Sequence, residues 1–526
     1  MISRRVLFAL IVALVSWAGV ARAESNSNIK HVLLISVDGL HALDVSNYVA
    51  AHPSSALAEL ASHGVTFSNA RTPANSDSFP GLMALVTGGS PITSGLFYDV
   101  SYDRTIFDPT NTTCSGGAGN TMVFDESIDV YNAQNVSLNV IDPTKLPRIL
   151  DHGVCVPLWP HNAIRTNTIF EVVKAAGGHT AWADKHPAYD WVNGPSGKGV
   201  DDLFTPEITN APGLDATVSV VCTVENDYKK VAAILNEIHG LNHDGTPGPG
   251  VPAVFGMNFQ AVSVGQKLSK DNFDGSCADD KTFTGLAGGY LDGAGTPTAV
   301  LHYSLEKTDQ ALAAMIKALK EQGIYDSTLF IVSAKHGQSP INPVKVNKPG
   351  HFADLVAALP DAGTNPAAAV IANAAACSTG PCGFVQDDDI ALIWLPDQSQ
   401  TPAVAAYLNT NANALFIDEV LAGNEIKLKF NDPNHDSRTP DILVQPIYGT
   451  VYTTSKKKNA EHGGFSFGDT NVGLIVSNPS LKASVLKTSV ATSQVAATIL
   501  QALGLDPGAL KSVQVEKTVK LPGLPF

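Results

Sequence analysis

Beyond its first twenty residues the sequence has no apolar run to match the roughly 18 or more residues that cross a bilayer. No membrane span is therefore expected once the N-terminal segment is gone. Positive charge is also scarce, with 34 Lys and Arg against 49 Asp and Glu and a formal net charge of −15. Nucleic-acid backbones are held by dense Lys/Arg surfaces, so a nucleic-acid polymer is not an expected partner. There is no internal repeat, and the six cysteines follow no zinc-finger spacing. The stretch "GPSGKG", residues 194 to 199, lacks the spacing of a phosphate-binding P-loop and has no Ser or Thr after Lys198, so it reads as a glycine-rich turn.

What is present begins with Arg4 and Arg5, an apolar stretch from Val6 to Val20, and Ala21-Arg22-Ala23. That is the pattern of a secretory signal with cleavage before Glu24, and its apolar stretch is shorter than a membrane anchor. Removing residues 1–23 loses three arginines and no acid, which leaves the exported chain more acidic still. An exported protein, periplasmic or extracellular, is expected. In an oxidising compartment the even set Cys114, Cys155, Cys222, Cys277, Cys377 and Cys382 predicts disulfides, and only Cys377 with Cys382 suggests a pair by proximity.

Short apolar runs stand at His31 to Val37, Ala253 to Phe259, Leu329 to Ser333, Ile442 to Gln445 and Val472 to Ser477. They alternate with helical patterns, clearest over Ser304 to Gln322, and also over Ser55 to Ser62 and Thr492 to Leu503. The alternation predicts an α/β fold with a mostly parallel sheet covered by helices on both faces. Residues 106–165, rich in Asn, Thr, Gly and Pro, read as a surface excursion. Residues 341–440 read as an inserted small domain, between a core part over 24–340 and its C-terminal part over 441–526.

Ligands of open parallel sheets bind beyond the carboxyl ends of the strands. Polar residues stand at several such ends: Asp38 before Gly39, Lys185-His186 in "AWADKHP", and Lys335-His336-Gly337 after "LFIVSA". Each alone reads equally as a turn or a solvated strand end. Ser78, before Phe79-Pro80 and an apolar helical run, reads as an N-cap, with free N–H groups that would draw an anion to its hydroxyl. His462-Gly463-Gly464 precedes another strand.

The order of these motifs resembles the alkaline phosphatase superfamily, and within it the type I phosphodiesterase/nucleotide pyrophosphatase group. The stretches that carry it are "LLISVDG", "SDSFPGLMALVTGGSPITSG", the helix and strand ending in "LFIVSAKHG", "HGGFSFGDTNVGLIVSNP" and "VAATILQALGLDP". The resemblance implies Ser78 as nucleophile and Asp38, Ser78, His336 and His462 as metal ligands. Asp99 falls where the group has an Asn that helps hold the phosphoryl oxygens. The group's Ser-Asp-His-Gly is here Ala334-Lys335-His336-Gly337, and Val262 and Gln266 stand where further ligands belong. A protonated Lys335 about 4 Å from a divalent ion would repel it by roughly 8 kcal/mol at an effective dielectric near 20.

The expectation is thus at most one divalent ion, zinc, rather than a two-zinc centre. Lys335, with Lys185 and His186 as secondary candidates, is expected to stabilise the anion in place of lost metal charge. A sulfatase pattern fails at Leu82, where Arg should follow "SFPG". The function expected is hydrolysis of phosphoryl esters, phosphodiester or nucleotide-type, through Ser78. The alternative is a non-catalytic member of the fold that binds a small anionic ligand.

Overall fold

The computed structural model describes residues 28–123, 128, 141–208, 215–275, 277–278, 281–376 and 382–526. The signal segment expected over 1–23 lies outside these residues, as does Cys377. The central sheet has eight strands in the spatial order 484–486, 64–67, 475–477, 328–333, 31–37, 254–259, 181–183 and 202–204. His31–Val37 pairs in parallel with both Val254–Phe259 and Thr328–Ser333. Ala181–Ala183 continues the parallel order on one side, and Ile475–Ser477 enters antiparallel on the other.

The three middle strands consist of apolar residues with few polar interruptions, and nearly every position in them is buried. Because successive strand residues point to opposite faces, burial along the whole strand requires cover on both faces. Helices Val220–Ile238 and Ala299–Glu321 pack on each other, and helix Ser78–Thr87 packs on Gln494–Ala502. The second of these, predicted from Ser304, starts at Ala299 behind a Thr298 cap.

A second, four-stranded antiparallel sheet is ordered 384–387, 391–394, 442–446 and 417–422. Ile442–Pro446 belongs here rather than in the central sheet, so the inserted part runs past residue 440. A short apolar run satisfies either sheet equally, and only its partners decide. Ala391, Ile393, Ile442 and Val444 pack under helices of the insertion. Leu392, Trp394 and Leu443, on the other face, pack against Phe97, Tyr98 and Tyr102 of the core. The buried Arg438 clamps the same junction, its Nε donating to Asp103 Oδ2 at 2.6 Å.

Among the described residues, disulfides join Cys114 to Cys155, across residues 106–165, and Cys222 to Cys277, beside helix Val220–Ile238. Cys382 is also disulfide-bonded.

Candidate active site

Four neighbouring parallel strands deliver polar residues from their carboxyl ends to one place. His31–Val37 is followed by Asp38, Val254–Phe259 by Gln260, Ala181–Ala183 by Asp184 and Lys185, and Thr328–Ser333 by Ala334, Lys335 and His336. Helix Ser78–Thr87 is buried along its whole length and brings Ser78 to the same point. Its approach depends on Gly81, where an added Cβ would fall on the Lys335 carbonyl. Thr72 Oγ1 donates to that carbonyl at 2.6 Å, so the end of the strand is pinned as well as approached.

At the centre, Ser78 Oγ lies 3.2 Å from His336 Nε2. His336 Nδ1 lies 2.8 Å from the Gly337 carbonyl, which can only accept. Nδ1 therefore carries the hydrogen, and Nε2 turns its lone pair toward Ser78 Oγ. Burial pushes the His336 imidazole down to about 4 against the pull of Asp38, so the ring is neutral near pH 7.

Lys185 Nζ lies 3.4 Å from Ser78 Oγ and donates to Asp38 Oδ2 at 3.0 Å and Gln260 Oε1 at 2.7 Å. Burial would raise the Asp38 carboxyl, but Lys185, then Lys335 and His336, hold it well below the usual carboxylate range. Asn258 Nδ2 donates to the same Asp38 oxygen at 3.2 Å, while Asp38 Oδ1 has no hydrogen-bond partner.

Several expected site residues stand elsewhere or act otherwise. Lys335, expected as the main anion-stabilising charge, is fully buried and bonds both Asp184 oxygens at 3.0 and 3.1 Å. It also lies over the Tyr189 ring, 4.0 Å from the centroid, and burial pushes it down to about 8. Lys185 is the cation that meets Ser78. His186 turns away to Glu207, with Nδ1 2.8 Å from Oε1. Asp99 accepts from the Val100 N–H at 2.7 Å, in the segment beneath the second sheet. The N-cap of helix Ser78–Thr87 is Asp77, whose Oδ2 accepts from Phe79 N at 3.0 Å, and Ser78 is the first helical residue. A carboxyl group thus occupies the helix end expected to attract an anion. Burial pushes Asp77 up to about 7.

His462 remains in the site, with its ring centroid 3.9 Å from that of His336. Its Nδ1 is 3.5 Å from Asp77 Oδ1, and neither atom has a hydrogen-bond partner. Val262 is buried in the apolar core. Gln266 donates to the Gly39 carbonyl at 2.8 Å and to the Tyr290 hydroxyl at 2.9 Å.

Sequence reasoning missed Gln260, Asn258, Asp184 and Asp77. The first three stand at or just past the ends of buried strands, which is the signal that could have marked them.

The metal centre that the resemblance implies does not fit this arrangement. An ion bound to both Asp38 and Ser78 would lie about 2 Å from each oxygen, against the Lys185 ammonium. The repulsion is roughly 8 kcal/mol for a divalent ion about 4 Å away at an effective dielectric near 20. Among the described residues no group of three or more His, Cys, Asp or Glu side chains is arranged to hold a metal ion.

Solved structures with this fold include murine ectonucleotide pyrophosphatase/phosphodiesterase 5, at 14% identity and a TM-score of 0.51, covering 91% of this chain and 96% of that one. The human protein of the same name aligns at 13% identity and a TM-score of 0.52, covering 90% and 95%. An inactive variant of the murine protein in complex with AMP aligns with a TM-score of 0.50 at 13% identity, covering 91% of this chain and 96% of that one. At these identities the likeness shows the fold. No curated protein matches the sequence. The family model "Type I phosphodiesterase / nucleotide pyrophosphatase" matches residues 32–139 and 294–468. With more than half of its residues inside that match, this chain belongs to the type I phosphodiesterase/nucleotide pyrophosphatase family.

Proposed function

We propose that the protein is an exported hydrolase of phosphoryl esters, of the phosphodiester or nucleotide type, with Ser78 as nucleophile. The observation that carries this reading is the 3.2 Å contact between Ser78 Oγ and the lone-pair nitrogen of His336. Ser78 Oγ attacks phosphorus as His336 Nε2 takes its proton. The alkoxide departs from the opposite face and takes a proton from solvent. Water then attacks phosphorus from that face, releasing a proton to solvent, while His336 returns its proton to Ser78 Oγ as the phosphoserine bond breaks. Lys185 faces the charge that builds up on the phosphoryl oxygens. Asp38 and Gln260 fix that ammonium in place.

No step is routed through a metal ion. At most one divalent ion is compatible with the reading, zinc by the nature of Asp38, Ser78, His336 and His462, and it requires Lys185 to move aside. Disulfides at Cys114–Cys155 and Cys222–Cys277 support export. Among the described residues no helix is long and apolar enough to cross a membrane.

A second reading, a non-catalytic member that binds a small anion, is favoured by the low exposure of Ser78, at 6%. Turnover of bis(p-nitrophenyl) phosphate and of a nucleotide p-nitrophenyl ester, with zinc and with chelator, decides between them. AMP, bound by the murine neighbour, is the first ligand to titrate. The hydrolase reading expects turnover that Ser78→Ala abolishes. AMP binding without turnover of either ester would replace it with the second.

A further inference from the structure

We propose that Ser78 and His336 also cleave small uncharged carboxylic esters, with Ser78 accepting the acyl group and Lys185 facing the oxyanion. The proposal rests on the same assignment of Ser78 as nucleophile and goes beyond it in substrate class.

The first observation is that the dyad is complete without a metal ion. Ser78 Oγ has a base at 3.2 Å, and the Gly337 carbonyl at 2.8 Å fixes which nitrogen of His336 is free to act. Nothing in that pair is specific to phosphorus.

The second is the balance of charge around the hydroxyl. Lys185 is paired with Asp38 at 3.0 Å, and Lys335 with Asp184 at 3.0 Å, all four buried. Each ammonium already faces a carboxylate, so a fully anionic substrate gains less from the two pairs than a neutral ester, on which negative charge appears only during the reaction, beside Lys185 Nζ. Asp38 Oδ1 and Asp77 Oδ1 are buried carboxyl oxygens without a hydrogen-bond partner. Of the two, Asp38 is the ionised partner of Lys185 and disfavours an anionic group more than a neutral one.

The third is the helix end. Phe79 N–H, at the start of the helix, donates to Asp77 Oδ2 at 3.0 Å. The protein's own carboxyl group thus uses a helix-end donor of the kind that binds anions. Ser78 is 6% exposed and Lys185 8%, so a short acyl group such as acetyl is the first to test.

The reaction balances as hydrolysis. The Ser78 O–H proton passes to His336 Nε2 as the Oγ–C bond forms and the carbonyl electron pair moves onto oxygen, opposite Lys185 Nζ. Collapse restores the carbonyl and breaks the C–OR bond, and His336 returns the proton to the departing alkoxide. Water then repeats the sequence on the acyl-serine. The products are one acid and one alcohol, with Ser78 regenerated.

The test uses the full exported chain in the presence of chelator, with p-nitrophenyl acetate as substrate and a neutral fluorophosphonate as covalent probe. The expected results are one phosphonyl adduct per chain, mapped to the peptide that contains Ser78, and acetate hydrolysis that falls at least 10²-fold in Ser78→Ala. Melting curves establish that this variant is folded. A wild-type protein that takes up no adduct, or acetate hydrolysis that survives Ser78→Ala within tenfold, overturns the proposal. Cleavage of bis(p-nitrophenyl) phosphate through Ser78 with neither labelling nor acetate hydrolysis also overturns it, and leaves the phosphoryl reading standing. Labelling and acetate hydrolysis without phosphodiester cleavage support it and remove the phosphoryl reading instead.

Discussion

Lys185 Nζ stands 3.0 Å from Asp38 Oδ2, so the strand-end carboxylate expected to hold a metal ion holds one of the protein's own cations. The pair is buried, and Lys185 has Gln260 as a third anchor. Removing one member of such a pair strands the other charge in a low-dielectric interior.

Lys185→Ala should therefore lower stability by about 3–5 kcal/mol in metal-free solution. It also vacates the space between Asp38 and Ser78, so zinc affinity should rise at least tenfold and part of the lost stability should return on adding zinc. Thermal melts with and without Zn²⁺, beside calorimetric titration, read both effects. Equal zinc affinity in the two proteins would show that Lys185 does not compete with a metal ion.

Ser78 and Asp77 should separate chemistry from stability. Ser78→Ala removes the proposed nucleophile and should cost on the order of 10⁴-fold in turnover. It leaves the helix cap in place, so its melting temperature should barely move. Asp77→Ala removes that cap and should cost about 1 kcal/mol. A Ser78→Ala protein that loses more stability than Asp77→Ala would contradict the cap assignment.

Much of the sheet was legible because buried strands are short apolar runs, and the site was legible in outline because polar residues stand where those runs stop. Which lysine would face Ser78 was not. Lys335 and Asp184 are 151 residues apart, and nothing local in either segment announces their pairing. Asp184 and Lys185 are neighbours in sequence yet serve different partners, as adjacent residues leaving a strand project to different sides. The same limit explains Ile442–Pro446, whose composition fits the central sheet and whose hydrogen bonds lie in the second one.

Gly81 tests how tightly helix Ser78–Thr87 is held against the end of strand Thr328–Ser333. A methyl group there meets the Lys335 carbonyl, which Thr72 also holds, so Gly81→Ala should cost about 1–3 kcal/mol and reduce turnover by displacing His336. Gly363, exposed and with nothing near its missing Cβ, is the control, and Gly363→Ala should stay within about 0.5 kcal/mol. Similar melting temperatures for the two variants would mean that the close approach is not maintained in solution.

Glu237, far from Ser78 in sequence, should make stability depend on pH. It is 1% exposed near the end of helix Val220–Ile238, and neither carboxyl oxygen has a hydrogen-bond partner. Burial, then the negative charge of Asp202, push its carboxyl well above the ordinary 4.5. Once pH exceeds that ordinary value, the unfolded chain has released this proton while the folded chain still holds it. The folded state then binds more protons, and its stability falls as pH rises. The slope from this one group is about 1.4 kcal/mol per pH unit until the folded carboxyl itself ionises. Glu237→Gln keeps the shape and removes the titration. The two proteins should have similar stability near pH 4.5, and the variant should gain on the parent at each step toward pH 7. Denaturant unfolding at several pH values measures this difference directly, and profiles that run parallel from pH 4.5 to 7 would show that Glu237 titrates normally in the folded protein.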